Sequence, residues 1–288
     1  MRATLADRDR IQSDDHVIIF LSTFNDGRQA FVFGVNPLGV QMDGTVNPDF
    51  SQVESDAGQF QFDPRQALFF PEKRPFFLDG IEQFATPNNL IYTRRVAAPV
   101  AAAKLTGKVS GRTNLAYLTA VDDPSLSATG DTNPVFNILR LQRDLFTSSR
   151  AAFVYTDRID GPRSNRVVGA DARLVWRDIY SLSLQAALSR TVGTGPAATA
   201  PLWQGVFART GRRFGVRYSA RGVDPDFRAA AGFISRTGIA VLNASHQLTT
   251  YGRPGAALER WTSDVVVDGT WQYDELVAGR SSQDRKLH

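Results

Sequence analysis

Tyr180-Ser-Leu-Ser-Leu-Gln-Ala-Ala-Leu-Ser189 is the stretch that decides the fold. Tyr180, Leu182, Leu184, Ala186 and Leu188 share one parity, while Ser181, Ser183, Gln185 and Ser189 hold the other. Successive side chains of a strand point to opposite faces, so this pattern gives a strand with one apolar and one polar face. A helix would repeat its apolar positions every three or four residues, which this stretch does not.

The same alternation extends in both directions. On the N-terminal side, Lys104, Thr106, Lys108 and Ser110 alternate with Leu105, Gly107 and Val109, and Asp171, Arg173 and Arg177 with Ala172, Leu174 and Trp176. On the C-terminal side, Arg217, Ser219 and Arg221 alternate with Val216, Tyr218 and Ala220, and Asp264, Asp268 and Thr270 with Val265, Val267 and Trp271. Turn clusters separate the runs: Asp122-Asp-Pro124, Asp160-Gly-Pro162, Gly193-Thr-Gly-Pro196, Asp224-Pro225 and Gly252-Arg-Pro-Gly255. The pattern predicts about ten antiparallel strands, many of about 9–12 residues, the length that crosses a bilayer when tilted. Tyr155, Trp176, Tyr180, Trp203, Tyr251, Trp261, Trp271 and Tyr273 fall near strand ends. Tyr and Trp gather there in the girdles of outer-membrane barrels. A large soluble sandwich or propeller is the competing architecture, and it predicts shorter strands with bulkier apolar faces.

Composition is compatible with either. The chain has 288 residues, 42% hydrophobic and 22% charged, which excludes a disordered composition. Mean hydropathy is −0.23, and no window holds the ~20 apolar residues of a spanning helix. There is no cysteine, so disulfides, thiolate metal sites and cysteine nucleophiles are excluded. With only His16, His246 and His288, no histidine-rich metal site is expected. The net charge of +4 is uneven: residues 1–103 carry 9 Lys/Arg against 13 Asp/Glu, and the remainder carries 24 against 16. The arginines are dispersed through the alternating segments rather than clustered, so no nucleic-acid partner is expected.

A second stretch breaks the alternation. Asn47-Pro-Asp-Phe-Ser-Gln-Val-Glu54 is followed by Phe69-Phe-Pro-Glu-Lys-Arg-Pro-Phe-Phe-Leu-Asp-Gly80. Pro48, Pro71 and Pro75 exclude a helix interior or a central strand. The phenylalanines are too apolar for a free loop. A rigid irregular segment packed against something larger satisfies both constraints.

These two motifs resemble the signature of a bacterial outer-membrane family of unknown function. Its members carry an N-terminal domain like the family 9 carbohydrate-binding modules, then a long β-barrel. The resemblance implies location and architecture and no established chemistry. It marks Asn47, Pro48, Asp49, Phe50, Glu54, Pro71, Glu72, Lys73, Arg74, Pro75 and Phe76 as a structural signature. Residues 1–45, with a hairpin from His16 to Val40, correspond to a remnant of the carbohydrate-binding-like β-sandwich, too short to form that sandwich alone. Residues 46–103 form the signature segment, packed on or in the barrel, and residues 104–288 form the barrel portion. Met1 to Arg10 lacks the apolar core of a signal peptide, and the polar last residues lack a terminal aromatic strand. Truncation at both ends is therefore expected.

Gly193-Thr-Gly195 opens no helix and reads as a turn. Asp224-Pro-Asp226 lacks the further ligands of a calcium loop and reads as a surface turn. Asp49, Glu54, Asp56, Glu72, Lys73 and Arg74 form the richest charge set. Two of these carboxylates would suit glycoside hydrolysis, but pairing with wall arginines to hold an inward-folded segment is the simpler role. Lys73 and Arg74 suit a rim anchor with their cationic heads in water. The expectation is an all-β, antiparallel, partial outer-membrane-type barrel, not an enzyme, without cofactor or metal. It sits in the bacterial outer membrane with the lipid bilayer as partner and serves as pore, receptor or scaffold for uptake. The alternative is a carbohydrate-binding protein of a polysaccharide-degrading system, with carbohydrate as partner.

Overall fold

The computed structural model describes residues 17–21, 30–36, 39–48 and 67–277. Asp49, Phe50, Glu54 and Asp56 of the signature lie outside them, as does His16. The strands are β1 (Val17–Leu21), β2 (Ala30–Val35), β3 (Gln41–Val46), β4 (Pro99–Ser110), β5 (Thr113–Asp122), β6 (Val135–Leu145), β7 (Ser149–Asp160), β8 (Arg163–Trp176), β9 (Tyr180–Val192), β10 (Ala198–Thr210), β11 (Phe214–Val223), β12 (Ile239–Tyr251) and β13 (Arg260–Gln272). They form one antiparallel meander in chain order, with β1 and β13 as its edges. Among the described residues the sheet is open.

The N-terminal strands join the main sheet: β3 pairs along its length with β4, from Gln41 opposite Thr106 to Val46 opposite Ala101. Three short strands bury too little alone, and joining the longer sheet satisfies one of their edges. β4 begins at Pro99, within the last residues of the 46–103 segment. Tyr273 directly follows the end of β13, as expected, where it opens the short helix α2 (Tyr273–Val277) and is buried.

The register shows what each face is made of. One row runs Leu115, Leu141, Phe153, Ala170, Ala186, Trp203, Gly222, Ala240 and Trp271, each the registered partner of the next. A parallel row runs Leu174, Leu182, Phe207, Tyr218, Ala244 and Val267. This face carries no covering layer: Leu184 is 45% exposed, Leu188 50% and Val265 61%. On β8 the apolar positions run from Val168 to Trp176, about 27 Å along the strand at ~3.4 Å per residue. Beyond Val168 the next row is polar: Asn137, Asp157, Arg166, Arg190 and Thr199.

The opposite face holds the core. Ala116, Leu118, Phe136, Ile138, Val154, Val167, Ala187, Leu202 and Val223 are buried there, together with Phe76, Phe77, Phe84, Leu90, Ile91 and Val96 of the β3–β4 connection. That connection contains the helix α1 (Pro75–Leu78) and two short 3₁₀ turns. It bonds to Lys104 on β4 and, twelve residues after Phe76, to Gln185 on β9 and Gln204 on β10, so it lies across the inner face from one part of the sheet to another six strands away.

Candidate functional site

The signature segment is held as a plug by three sets of polar bonds. The first is internal. Glu72 accepts the backbone N–H of Lys73 (3.1 Å) and of Arg74 (3.0 Å), and the Thr93 hydroxyl (2.6 Å). Arg74 closes a bidentate fork on the same carboxylate, Nε to Oε1 at 2.8 Å and NH2 to Oε2 at 2.7 Å. Its remaining N–H groups donate to the carbonyls of Val96 (2.5 Å) and Thr93 (3.0 Å), and its guanidinium lies 4.2 Å from the Phe77 ring centre. Burial raises the Glu72 pKa, but the bonds from Arg74 and Thr93 and the Arg74 charge outweigh it, leaving the carboxyl below its ordinary 4.5. Pro71 and Pro75 bracket this knot and fix its backbone.

Two expectations are corrected here. Glu72 pairs with Arg74 two residues away, not with a wall arginine, because the turn between two prolines brings their side chains together. Arg74 does not hold its head in water; it is buried against Val96 and Phe77.

The second set joins the plug to β4. Lys104 is 1% exposed, and its Nζ donates to the carbonyls of Phe76 (2.8 Å) and Asp79 (2.5 Å) while lying 3.1 Å from Asp43 Oδ2 on β3. Asp43, also 1% exposed, further accepts Gln41 Nε2 (3.1 Å). Lys104 thus caps the C-terminal carbonyls of α1 and neutralises a buried carboxylate. Gly80 follows α1 with φ +66°, and a Cβ there would sit 3.0 Å from Thr106 Oγ1, so glycine lets the chain turn against β4. Asn47 and Pro48 lead out of β3, with the Asn47 N–H donating to the Val100 carbonyl (2.7 Å).

The third set reaches β9 and β10. Asn88 Nδ2 donates to Gln185 Oε1 (2.7 Å) and Gln204 Oε1 (2.6 Å). Beside it, the β11–β12 connection folds inward: Phe233 N–H donates to the Asn89 carbonyl, Tyr92 N–H to the Ala231 carbonyl, both 2.8 Å, and Phe227 is fully buried. Asp224-Pro-Asp226 is the expected surface turn, with Asp226 exposed and its N–H donating to Asp224 Oδ1 (2.9 Å), and the inward loop begins directly after it at Phe227. Residues Lys104, Asp43, Asn88, Gln185 and Gln204 escaped the sequence reading. Their only signal was alternation, which a buried polar residue shares with an exposed one.

Between the two inward segments and the ends of β5, β7, β8 and β9 lies a cavity of about 770 Å³. Arg95, Arg158, Arg163, Arg228 and Arg236 line it, against Asp122 and Asp160. Arg158 pairs with Asp160 at 3.3 Å. Asp122 takes the Ala97 N–H on Oδ2 (3.0 Å), while its buried Oδ1 has no partner. Among the described residues no group of three or more His, Asp or Glu side chains converges as metal ligands would.

Residues 31–116 match a family described as a domain of unknown function (DUF5916). The match begins in β2, includes the plug, and ends in β5 beyond Lys104. No curated protein and no solved structure matches the chain.

Proposed function

We propose that this chain forms the wall of an outer-membrane β-barrel, plugged by its own β3–β4 connection, and acts as a receptor, pore or scaffold for uptake. The observation that carries the reading is the outward belt. Rows of Leu, Val, Phe, Tyr and Trp interspersed with Ala and one Gly run over many strands on the face away from the core, where Leu184, Leu188 and Val265 stand about half exposed or more. Corrected for a strand tilt of about 35–45°, the ~27 Å run on β8 gives a band roughly 20 Å tall, near the height of a lipid-facing belt. Aromatic side chains mark both margins: Trp176 stacks on Tyr180 (5.5 Å) at one, and Tyr117, Tyr155, Trp203 and Trp271 lie toward the other. A soluble protein seldom leaves so large an apolar surface bare.

The connections favour an orientation. At one end Gly111 and Arg112 join β4 to β5, and residues 146–148, 177–179, 211–213 and 252–259 join later pairs. At the other end the connections are residues 47–98, 123–134, 161–162, 193–197 and 224–238, three of them longer than any at the first end. Outer-membrane barrels keep short turns on the periplasmic side, so the plug and the cavity face outward.

The absence of cysteine makes a direct test clean. Single cysteines at Val168, Ser183, Leu184, Gln185 and Leu188 are introduced into the chain expressed behind a signal peptide. After membrane fractionation they are treated with a membrane-impermeant thiol reagent and with a lipid-soluble one. Positions 168, 184 and 188 should react only with the lipid-soluble reagent and 183 and 185 should not. Recovery of the chain in the soluble periplasm, or equal labelling of both parities, overturns the proposal.

A further inference from the structure

We infer that the cavity at the long-connection end binds a small anion that also carries hydroxyl groups. The charge is the first reason. Five arginines face two aspartates there, and only Arg158 is paired with a carboxylate. Arg95 donates its Nε to the Gly232 carbonyl (2.9 Å), and Arg228 its NH1 to the carbonyls of Pro225 (2.7 Å) and Phe227 (2.9 Å). Carbonyl bonds fix a guanidinium in place without cancelling its charge, so these heads are oriented and still cationic. Arg163 and Arg236 form no ion pair with a described residue. A guanidinium fork matches a carboxylate or a phosphate.

The second reason is Asp122. It is 2% exposed and its Oδ1 has no partner, a rare state for a buried polar atom. That oxygen accepts but cannot donate while ionised. A bare anion would be repelled by it, whereas a ligand hydroxyl would satisfy it. Asn165 and Thr191 on the same wall bond each other, Nδ2 to Oγ1 at 2.9 Å, and line the cavity as further polar contacts. The two features together select a ligand with an anionic group for the arginines and a hydroxyl for Asp122. The volume lies within the range of about 300–1,000 Å³ that small-molecule sites occupy. The inference rests on the cavity alone and does not depend on the membrane reading.

Calorimetric titration of the full chain in detergent tests it, with glucuronate and glucose 6-phosphate as probes and glucose and inorganic phosphate as controls. Saturable binding of either probe at least ten-fold tighter than both controls supports the inference, and the tighter probe identifies the anionic group. The double variant Arg163→Gln/Arg236→Gln, whose side chains are partly exposed, should lose ten-fold or more in affinity for that probe. Asp122→Ala should bring its affinity down toward that of inorganic phosphate. Intact folding of each variant is checked by its resistance to trypsin. The inference is overturned if neither probe binds, if glucose or phosphate binds as tightly, or if the arginine variant binds unchanged.

Discussion

Replacing Lys104 by Met removes the one cation that β3, β4 and α1 share. Asp43 then keeps a buried charge with only the Gln41 amide on it, and the Phe76 carbonyl loses its donor. Breaking a buried ion pair by deleting one member costs about 3–5 kcal/mol. The Asp79 side chain is 47% exposed, so water can replace part of what its carbonyl loses, which places the cost near ~3 kcal/mol. In Lys104→Met/Asp43→Asn the stranded charge is gone, and about 1–2 kcal/mol remains for the unsatisfied carbonyl. The double variant should therefore be more stable than the single one. The assay is trypsin cleavage after Lys73 in refolded protein, which reports opening of the plug; the Arg74–Pro75 bond is itself resistant. A loss of ~3 kcal/mol raises the open population by about 100-fold, and cleavage with it. The reasoning fails if Lys104→Met is cleaved at the wild-type rate, or if the double variant is no better protected than the single.

Three further outcomes follow from other contacts. The Glu72 pKa is lowered in the fold, so the fork with Arg74 contributes fully above the ordinary 4.5 and is lost as pH falls through the lower folded value; amide protection at Phe77 should drop in that acid window, and Glu72→Gln should show the weaker protection at neutral pH with no such drop. Leu184→Arg should cost about 2–4 kcal/mol of folding stability in lipid or detergent if the belt faces hydrocarbon, whereas a half-exposed leucine on a soluble sheet would change stability by no more than about 0.5 kcal/mol; urea titration followed by tryptophan fluorescence separates the two. At Gly232 a Cβ would lie 2.7 Å from the Leu90 carbonyl and 2.8 Å from that of Asn89. Gly232→Ala should push the inward loop off the plug at a cost of about 1–3 kcal/mol, visible as faster exchange of the Phe233 amide with no change in the outer strands.

What could be read from the sequence was whatever depended on neighbours along the chain. Tyr180 to Ser189 alternates, and β9 is a strand with its leucines outward. Ten strands follow one another from Pro99 to Gln272, near the expected number. What escaped depends on neighbours across the sheet. Lys104 and Lys108 occupy equivalent places in one alternating run, yet the first is buried and the second exposed, because α1 covers only one of them. Asp224-Pro-Asp226 has the composition of a surface turn, and nothing local shows that Phe227 will be buried. Glu72 pairs with Arg74 two residues away, a contact set by the turn between Pro71 and Pro75 and not by the alternation of the wall arginines.

Asn88 gives the plug a mechanical consequence. Its amide spans to two glutamines on the far wall, while Lys104 holds the near one, so the segment works as a strut whose length sets the local radius. Hydrogen bonds tolerate only a few tenths of an ångström of stretch before weakening. Spreading the two sets of strands and unseating the segment are then a single motion, and neither can happen until the segment lets go at one end.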